Sequence, residues 1–474
     1  MKWKSGIVTG AAIVAMATIG GTASAAESQP RPDQLAFRDL YKELVETDTS
    51  ITTGSCTALA DTIEGRLKQA GFTDADITRF AVPDHPKEGG LVVILPGSSK
   101  TLKPILLLGH LDVVVAKRED WTRDPYQFIE EGGYFYGRGT SDMKAMDAIW
   151  IDMLMRFKKD AYLPKRTLKL ALTCGEETSW AFNGARWLAQ NKRDLIDAAF
   201  ALNEGGGGRT DGHGTVQQMR IHVGEKAAVN YRIEATNPGG HSSAPVRDNA
   251  IYELGDALAK VRDYEFPVML NDTTRAFFAK VGASRTDEMG KAMVAIVANP
   301  GDTAAEAILN TDKSYHSMLR TTCVATLLDG GHANNALPQR AGANINCRIF
   351  PGVTAETVRV ALEQAIGDPK MTVKQVDDRG PAAKSPPLTP AILGPAERLV
   401  AKYYPGVPLV PTMSTGATDG IYLEAVGIPS YGPPGTYGDP DGNGAHGLNE
   451  RAIVKSVYTG RDFLTELVKD YASR

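Results

Sequence analysis

The sequence predicts an α/β protein, a domain layered on a mixed, largely parallel sheet and interrupted by an inserted α+β unit of ferredoxin-like order. Three observations predict it. Short apolar runs bounded by turn residues alternate with helical patterns from residue 91 to residue 202, the rhythm of a sheet covered by helices on both faces. Near Val223 the texture changes to a strand–helix–strand–strand–helix–strand order, that of a compact α+β unit. A Pro-rich stretch, Gly380-Pro381 and then Pro386-Pro387, returns the chain to the first layer. The expected boundaries are a leader over residues 1–25, a main domain over 26–225 and 381–474, and the insert over 226–380.

The elements follow in order. Helical patterns cover residues 35–45 and 57–70. Residues 91–95 and 105–108 are buried strands, 145–157 a largely apolar helix, 168–172 a strand, 181–189 a helix and 198–202 a strand. In the insert, residues 227–235 alternate like a half-exposed strand and 249–261 are helical. Residues 321–328 and 343–350 are strand-like, 354–366 helical and 371–376 strand-like. A long final helix is placed after Asn449, a candidate cap, with residues 452–468 supplying its apolar face.

Composition excludes several classes. With 474 residues, 42% hydrophobic and 23% charged, the chain is neither disordered nor a multispan membrane protein. A formal charge of −4 offers no basic field to nucleic acid. Lys2 and Lys4, an apolar run over residues 7–19 and Thr22-Ala23-Ser24-Ala25 form a signal peptide cut after Ala25, an uncleaved anchor being the alternative. The expected location is therefore periplasmic or secreted. Four cysteines are too few for a disulfide framework. Cys323 and Cys347 lie in two strand-like runs and either pair or remain buried thiols.

Five motifs follow strands or turns where a functional group would sit, beyond the carboxyl ends of an open sheet. Gly109-His110-Leu111-Asp112 puts a carboxylate behind a histidine. That pair is equally a structural hydrogen bond. In Gly137-Arg138-Gly139-Thr140-Ser141-Asp142, Asp142 is either a helix cap or a carboxylate with one oxygen for each of two ions. Adjacent Glu176 and Glu177, after Cys174-Gly175, belong to a solvated loop or divide the work of general base and metal ligand. Glu204 precedes four glycines, and His446 lies in Ala445-His446-Gly447-Leu448-Asn449-Glu450 near the final helix. Together they supply the mixed His and carboxylate set that two co-catalytic divalent ions require.

In this order the motifs resemble the co-catalytic zinc exopeptidases and amidohydrolases that include glutamate carboxypeptidase, aminoacylase, acetylornithine deacetylase and succinyl-diaminopimelate desuccinylase. The pattern G-H-x-D, G-R-G-x-x-D-x-K, E-E, N-E-G, G-G-H-S, N-x-x-P, R-x-x-P-G and H-x-x-N-E runs through most of the chain. The resemblance implies a zinc-exopeptidase-like catalytic domain with a lid and dimerisation domain. It makes Asp142 the bridging ligand, with His110 and Glu204 on one ion and Glu177 and His446 on the other. Glu176 becomes the general base, Asp112 orients His110, and the Asp142–Met143 peptide is cis. His241, in Gly239-Gly240-His241-Ser242-Ser243, is implied to polarise the scissile carbonyl, often from the partner subunit. Asn335 and Arg348 are implied to hold the substrate carboxylate and developing oxyanion; a lid-surface ion pair is the other reading of Arg348. Gly416, in Ser414-Thr415-Gly416-Ala417-Thr418-Asp419-Gly420, lies in a substrate-binding glycine loop, although Ala417 stands where a second glycine is common. His85, His213, His222, His316 and His332 carry no motif, and surface or structural roles are expected.

The expected function is therefore that of an exported metallopeptidase or amidohydrolase with two divalent ions, zinc first, cobalt or manganese as alternatives. It would cleave the amide bond of N-acyl amino acids or short peptides with a free carboxylate, as carboxypeptidases and aminoacylases do. Glu rather than Asp at position 204 accompanies that activity in relatives. The alternatives are a dipeptidase or aminopeptidase of the same family, an inactive periplasmic binding protein, and a two-metal phosphatase. A serine hydrolase is disfavoured by the lack of G-x-S-x-G. The expected partners are a small-molecule or short-peptide substrate and a second copy of the chain through the lid, with neither nucleic acid nor, after cleavage, membrane.

Overall fold

The computed structural model describes residues 30–178, 182–376, 381 and 384–474. The apolar leader lies outside the described residues, as do 377–380 and 382–383 of the Pro-bearing return. Among the described residues no helix is long and apolar enough to cross a membrane.

Four parallel strands at the centre of a ten-stranded sheet decide where a site can form. Ile105–His110 pairs in parallel with Leu168–Thr173 on one side and Phe200–Leu202 on the other, and Phe200–Leu202 pairs in parallel with Ser430–Gly432. All residues of the first two strands are buried, which is why they read as unbroken apolar runs. Antiparallel strands extend both flanks, His85–Leu95 and Ile77–Val82 on one, Val216–Glu225 and Gly207–Thr210 on the other. The sheet is thus more mixed than the alternation alone suggested. Leu409–Ser414 joins Val216–Glu225 in parallel.

Helices cover both faces. On one, Pro32–Glu46, Cys56–Gln69, Lys144–Lys159, Pro390–Tyr403 and Val454–Ala472 pack a shared core containing Phe37, Leu59, Trp150, Leu399 and Phe463. Gly184–Asn191 and Gly420–Ala425 cover the other through Leu188 and Leu423. Buried Arg461 locks three helices together, its guanidinium 2.8 Å from Asp152 and 2.7 Å from Asp33. Asn449 does not cap the final helix. That helix begins at Val454 without a side-chain cap, after a short strand, Arg451–Ile453. Asn449 is instead held at φ 53°, its Oδ1 accepting from the Thr122 N–H and hydroxyl.

The insert is an antiparallel four-stranded sheet in the order Thr322–Gly330, Arg340–Ile349, Ala227–Thr236, Thr372–Gln375. Helices Ala250–Asp263 and Ala355–Ile366 pack on one face through Leu254, Val261, Val358 and Leu362. Burial alternates along Ala227–Thr236, as its sequence pattern required. Between the first helix and second strand the chain adds four helices that the sequence reading did not place: Asp272–Ala283, Glu288–Ala298, Thr303–Leu309 and Lys313–Met318. Their core, including Phe278, Met293 and Leu309, also takes in Val410 from the ten-stranded sheet. The last two are short, and each of the four is capped by an Asn or Asp side chain, from Asn271, Asp287, Asp302 and Asp312.

Cys323 and Cys347 stand directly opposite each other on neighbouring strands and form a disulfide. A second, Cys56–Cys174, joins residues 118 apart.

Replacing Arg461 with Leu leaves Asp152 and Asp33 short of a shared buried partner. The expected loss is about 3 kcal/mol of stability in urea unfolding. An unchanged midpoint would show that the three helices do not depend on this charge.

Candidate metal centre

Because the central strands run parallel, their carboxyl ends share one edge, and the motifs that follow them meet there. His110 closes Ile105–His110, Glu176 and Glu177 follow Leu168–Thr173, and Glu204 follows Phe200–Leu202. Asp142 arrives from the turn before helix Lys144–Lys159, and His446 from the loop before the final helix. Asp142 lies between the histidines, one oxygen 3.4 Å from His110 Nε2 and the other 3.0 Å from His446 Nε2. Glu204 is 3.7 Å from His110, and Glu177 is 2.9 Å from His446. His446 sits at φ 60°, a left-handed conformation that a non-glycine residue holds only when its surroundings enforce it. The Asp142–Met143 peptide is cis.

Asp112 works differently from the expected contact. His110 Nδ1 is 3.0 Å from the Asp112 backbone carbonyl and 3.7 Å from its carboxylate. A carbonyl only accepts, so Nδ1 carries the proton and Nε2 faces Asp142 and Glu204 with its lone pair. The carboxylate of Asp112 instead accepts the backbone N–H groups of Glu176 and Glu177, at 3.3 and 3.0 Å. Asp112 thus holds the loop carrying the two glutamates through its side chain and the imidazole through its backbone carbonyl.

Further ties fix that loop. Buried Cys174, next to it, is disulfide-bonded to Cys56 at the head of helix Cys56–Gln69. Gly175 sits at φ 97°, where a Cβ would lie 1.8 Å from the Phe182 carbonyl. The amide of Asn183 donates to the Gly175 carbonyl and, at 2.6 Å, to Asp419, whose other oxygen accepts from the Thr173 hydroxyl. Asp419 belongs to the Gly416 loop, so one buried carboxylate ties that loop to the glutamate loop. Gly416 donates its N–H to Ser414 Oγ.

Sequence reasoning assigned no role to Glu450, and the structure makes it the clamp of the Asp142 turn. Its fully buried carboxylate accepts the backbone N–H groups of Gly139, Ser141 and Asp142 at 2.7–2.9 Å, and Arg138 Nη1 at 2.8 Å. The signal was present in the last residue of the His446 motif, four positions after the histidine. His222, expected to be superficial or structural, is buried beneath Gly205, and burial pushes it down to about 4.

The candidate residues of the insert form a separate group. His241 and Asn335 come together where Gly240–His241 pairs with Ala336–Leu337 and the Asn335 carbonyl accepts from the Ser242 N–H. His241 is exposed, its Nδ1 within hydrogen-bond distance of Ser243. Arg348 is half-buried on Arg340–Ile349, opposite Ala228 and Thr322. The expected ion-pair alternative finds no acid at Arg348 among the described residues. Neither His241, Asn335 nor Arg348 bonds to the Asp142 cluster among those residues.

The donor set fits divalent cations. His110, Glu176 and Glu204, and likewise His110, Asp142 and Glu177, bring ligand atoms within 4.8 Å of one another. His110 Nε2 is buried with no hydrogen-bond partner. Burial and repulsion from Glu204, Asp419 and Glu177 push Glu176 well above the ordinary carboxylate range, and burial, Asp142, Asp419 and Glu177 do the same to Glu204. Acids crowded around an unsatisfied imidazole nitrogen are relieved by dications.

The sequence profile of peptidase family M20/M25/M40 matches residues 106–470. The N-fatty-acyl-amino acid synthase/hydrolase PM20D1 of Homo sapiens is 26% identical over 452 residues, 93% of this chain and 88% of that protein. Aminoacylase-1 of Mus musculus is 25% identical over 429 residues, 87% and 89% of the two chains. The crystal structure of the M20 family metallo-carboxypeptidase Sso-CP2 from Sulfolobus solfataricus superposes with a TM-score of 0.68. It is 18% identical and covers 94% of this chain and 100% of that one.

Two outcomes follow from the loop geometry. Glu450→Gln confronts at least one backbone N–H with an amide donor, and metal affinity measured by chelator competition should fall about tenfold or more. An unaltered affinity would remove Glu450 from the support of Asp142. Replacing Cys56 and Cys174 together with Ala should cost about 4 kcal/mol and lower kcat well below the unfolding temperature. Removing the Cys323–Cys347 pair should cost stability without a comparable drop in kcat.

Proposed function

The chain belongs to peptidase family M20/M25/M40, whose members are metal-dependent peptidases and amidohydrolases, and on that premise we propose an exported hydrolase of N-acyl amino acids or short carboxylate-bearing peptides. The observation that carries the reading is Asp142, with its two oxygens turned to two histidines and Glu176 beside them. His110 and Glu204 would hold one divalent ion, Glu177 and His446 the other, and Asp142 would bridge them. Zinc suits this mixed nitrogen and oxygen set, with cobalt or manganese as alternatives. Two such ions supply Lewis acidity at the amide carbonyl.

The remaining work falls to side chains. Glu176 accepts a proton from the attacking water and returns it to the leaving amine. Its burial among other acids suits a carboxyl that must hold a proton between the two transfers. His241 polarises the carbonyl and Asn335 steadies the developing oxyanion. Arg348 holds the substrate carboxylate through a bidentate contact, and the Gly416 loop contributes to substrate binding. Since His241 and Asn335 are exposed on the lid, these roles require the lid, or a partner's lid, to approach the Asp142 cluster.

Aminoacylase-1 and PM20D1, similar to this chain over most of its length, support N-acyl amino acids over free dipeptides. Glu at position 204 points the same way. Export is supported by the pairing of all four cysteines in disulfides. The edge strand Thr322–Gly330 exposes Val324, Leu327 and Leu328, a surface suited to a second copy of the chain.

Glu176→Gln should lower kcat by a factor of a thousand or more while the protein retains about two metal equivalents. Turnover near the wild-type rate would sink the base assignment. N-acyl amino acids with a free carboxylate should be cleaved at least a hundredfold faster than their carboxamides. Equal rates would exclude a carboxylate-directed hydrolase and favour aminopeptidase chemistry.

A further inference from the structure

Away from the Asp142 cluster, near one end of the ten-stranded sheet, two strands bring together cationic groups that have no acid partner among the described residues. Gly207–Thr210 pairs antiparallel with Val216–Glu225, Gly207 opposite Arg220 and Arg209 opposite Gln218. Side chains alternate across a strand, so Arg209, Gln218 and Arg220 share one face. Met219, between the last two, turns into the core. Gly207 has no side chain to fill the space facing Arg220, and a cavity of about 180 Å³ opens there, lined by residues 205–208, Arg209, Arg220, Asp439 and Asn443, among others.

The polar groups of this face are unsatisfied. Arg220 Nε and Gln218 Nε2 are both buried without a hydrogen-bond partner. Among the described residues neither Arg209 nor Arg220 has an acid within ion-pair distance, and burial and the Arg209 charge together hold the Arg220 guanidinium below its usual pKa. Asp439, the acid in the lining, is committed elsewhere. Its oxygens accept from the Tyr134 hydroxyl at 2.7 Å and the Thr210 hydroxyl at 3.0 Å, with Arg451 at 3.5 Å. An arginine whose Nε is buried is normally hydrogen-bonded, because leaving the group unpaired is costly. Among the described residues no counter-charge reaches half-buried Arg220, and the open space faces it.

We propose that this cavity binds a small anion, a carboxylate or phosphate group, held by Arg220 and Arg209. The space is sufficient for an acid group with a few carbons. The planar fork of arginine suits both oxyanions. The site is distinct from Arg348, which lies on the lid, yet its glycine wall begins one residue after Glu204. An anion here would therefore border the strand end that carries a metal-ligand candidate.

Calorimetric titration of the metal-loaded protein with inorganic phosphate and with succinate tests the proposal. At least one anion should bind the wild type, at least tenfold more weakly to Arg220→Gln and several-fold more weakly to Arg209→Gln. The kcat on an N-acyl amino acid should stay within twofold. Binding of phosphate alone identifies a tetrahedral oxyanion, and of succinate alone a carboxylate; either supports the site. Equal affinity in wild type and both variants, as expected of anions held only at the metal centre, would overturn it. So would failure of the wild type to bind either anion at millimolar concentration. Arg209 is exposed, so its variant keeps the test open should Arg220→Gln fail to fold.

Discussion

The buried carboxylate of Glu450 is the contact on which the metal centre depends. It gathers three backbone N–H groups of the turn carrying Asp142 and pairs with Arg138. A tight turn leaves such donors unpaired, and burying them unpaired would be costly. One ionised side chain satisfies all three and sets the direction of the Asp142 side chain between His110 and His446. Because Glu450 and His446 lie on the same loop, holding the turn also places the second histidine. The Asp142 turn and the His446 loop are thus mutually positioned, although some three hundred residues separate them.

The glutamate loop is built on the same logic with different parts. Asp112 takes the N–H groups of Glu176 and Glu177, Asn183 links Gly175 to Asp419, and a disulfide holds Cys174. The segments carrying Asp142, Glu176 and Glu177 are thus held from behind by buried carboxylates, an amide and a covalent bond. Such outer contacts confine the ligands to a narrow geometry before any ion arrives.

Much of this was legible from residue order. The strands at residues 105–108 and 168–172 are unbroken apolar runs because both faces are covered, and their ends announced His110 and Glu176. The inserted unit was legible through the alternation at 227–235. What was not legible arises from contacts between distant segments. The Cys56–Cys174 bond spans 118 residues, and nothing local to either cysteine selects the other. Asp112 carries the spacing expected of a histidine partner, yet its side chain turns to the following strand's loop. Helices such as Thr303–Leu309 are too short for periodicity to reveal, and only their Asp caps marked them. Asn449 looked like a cap, but a three-residue strand intervenes before the final helix.

The four added helices have a mechanical consequence. They belong in sequence to the inserted unit, yet their core includes Val410, and Lys280 donates to the Leu409 carbonyl. The insert also leaves the larger sheet through Gly224, Glu225 and Lys226, with the Lys226 N–H bonded to the Ser414 carbonyl. A third contact comes from Ile421 of helix Gly420–Ala425, which lies in the core of the four-stranded sheet. Three separated contacts leave a rigid insert no free hinge axis. Bringing His241 and Asn335 to Asp142 therefore requires one of these contacts to open, or the lid of a second copy to supply the pair.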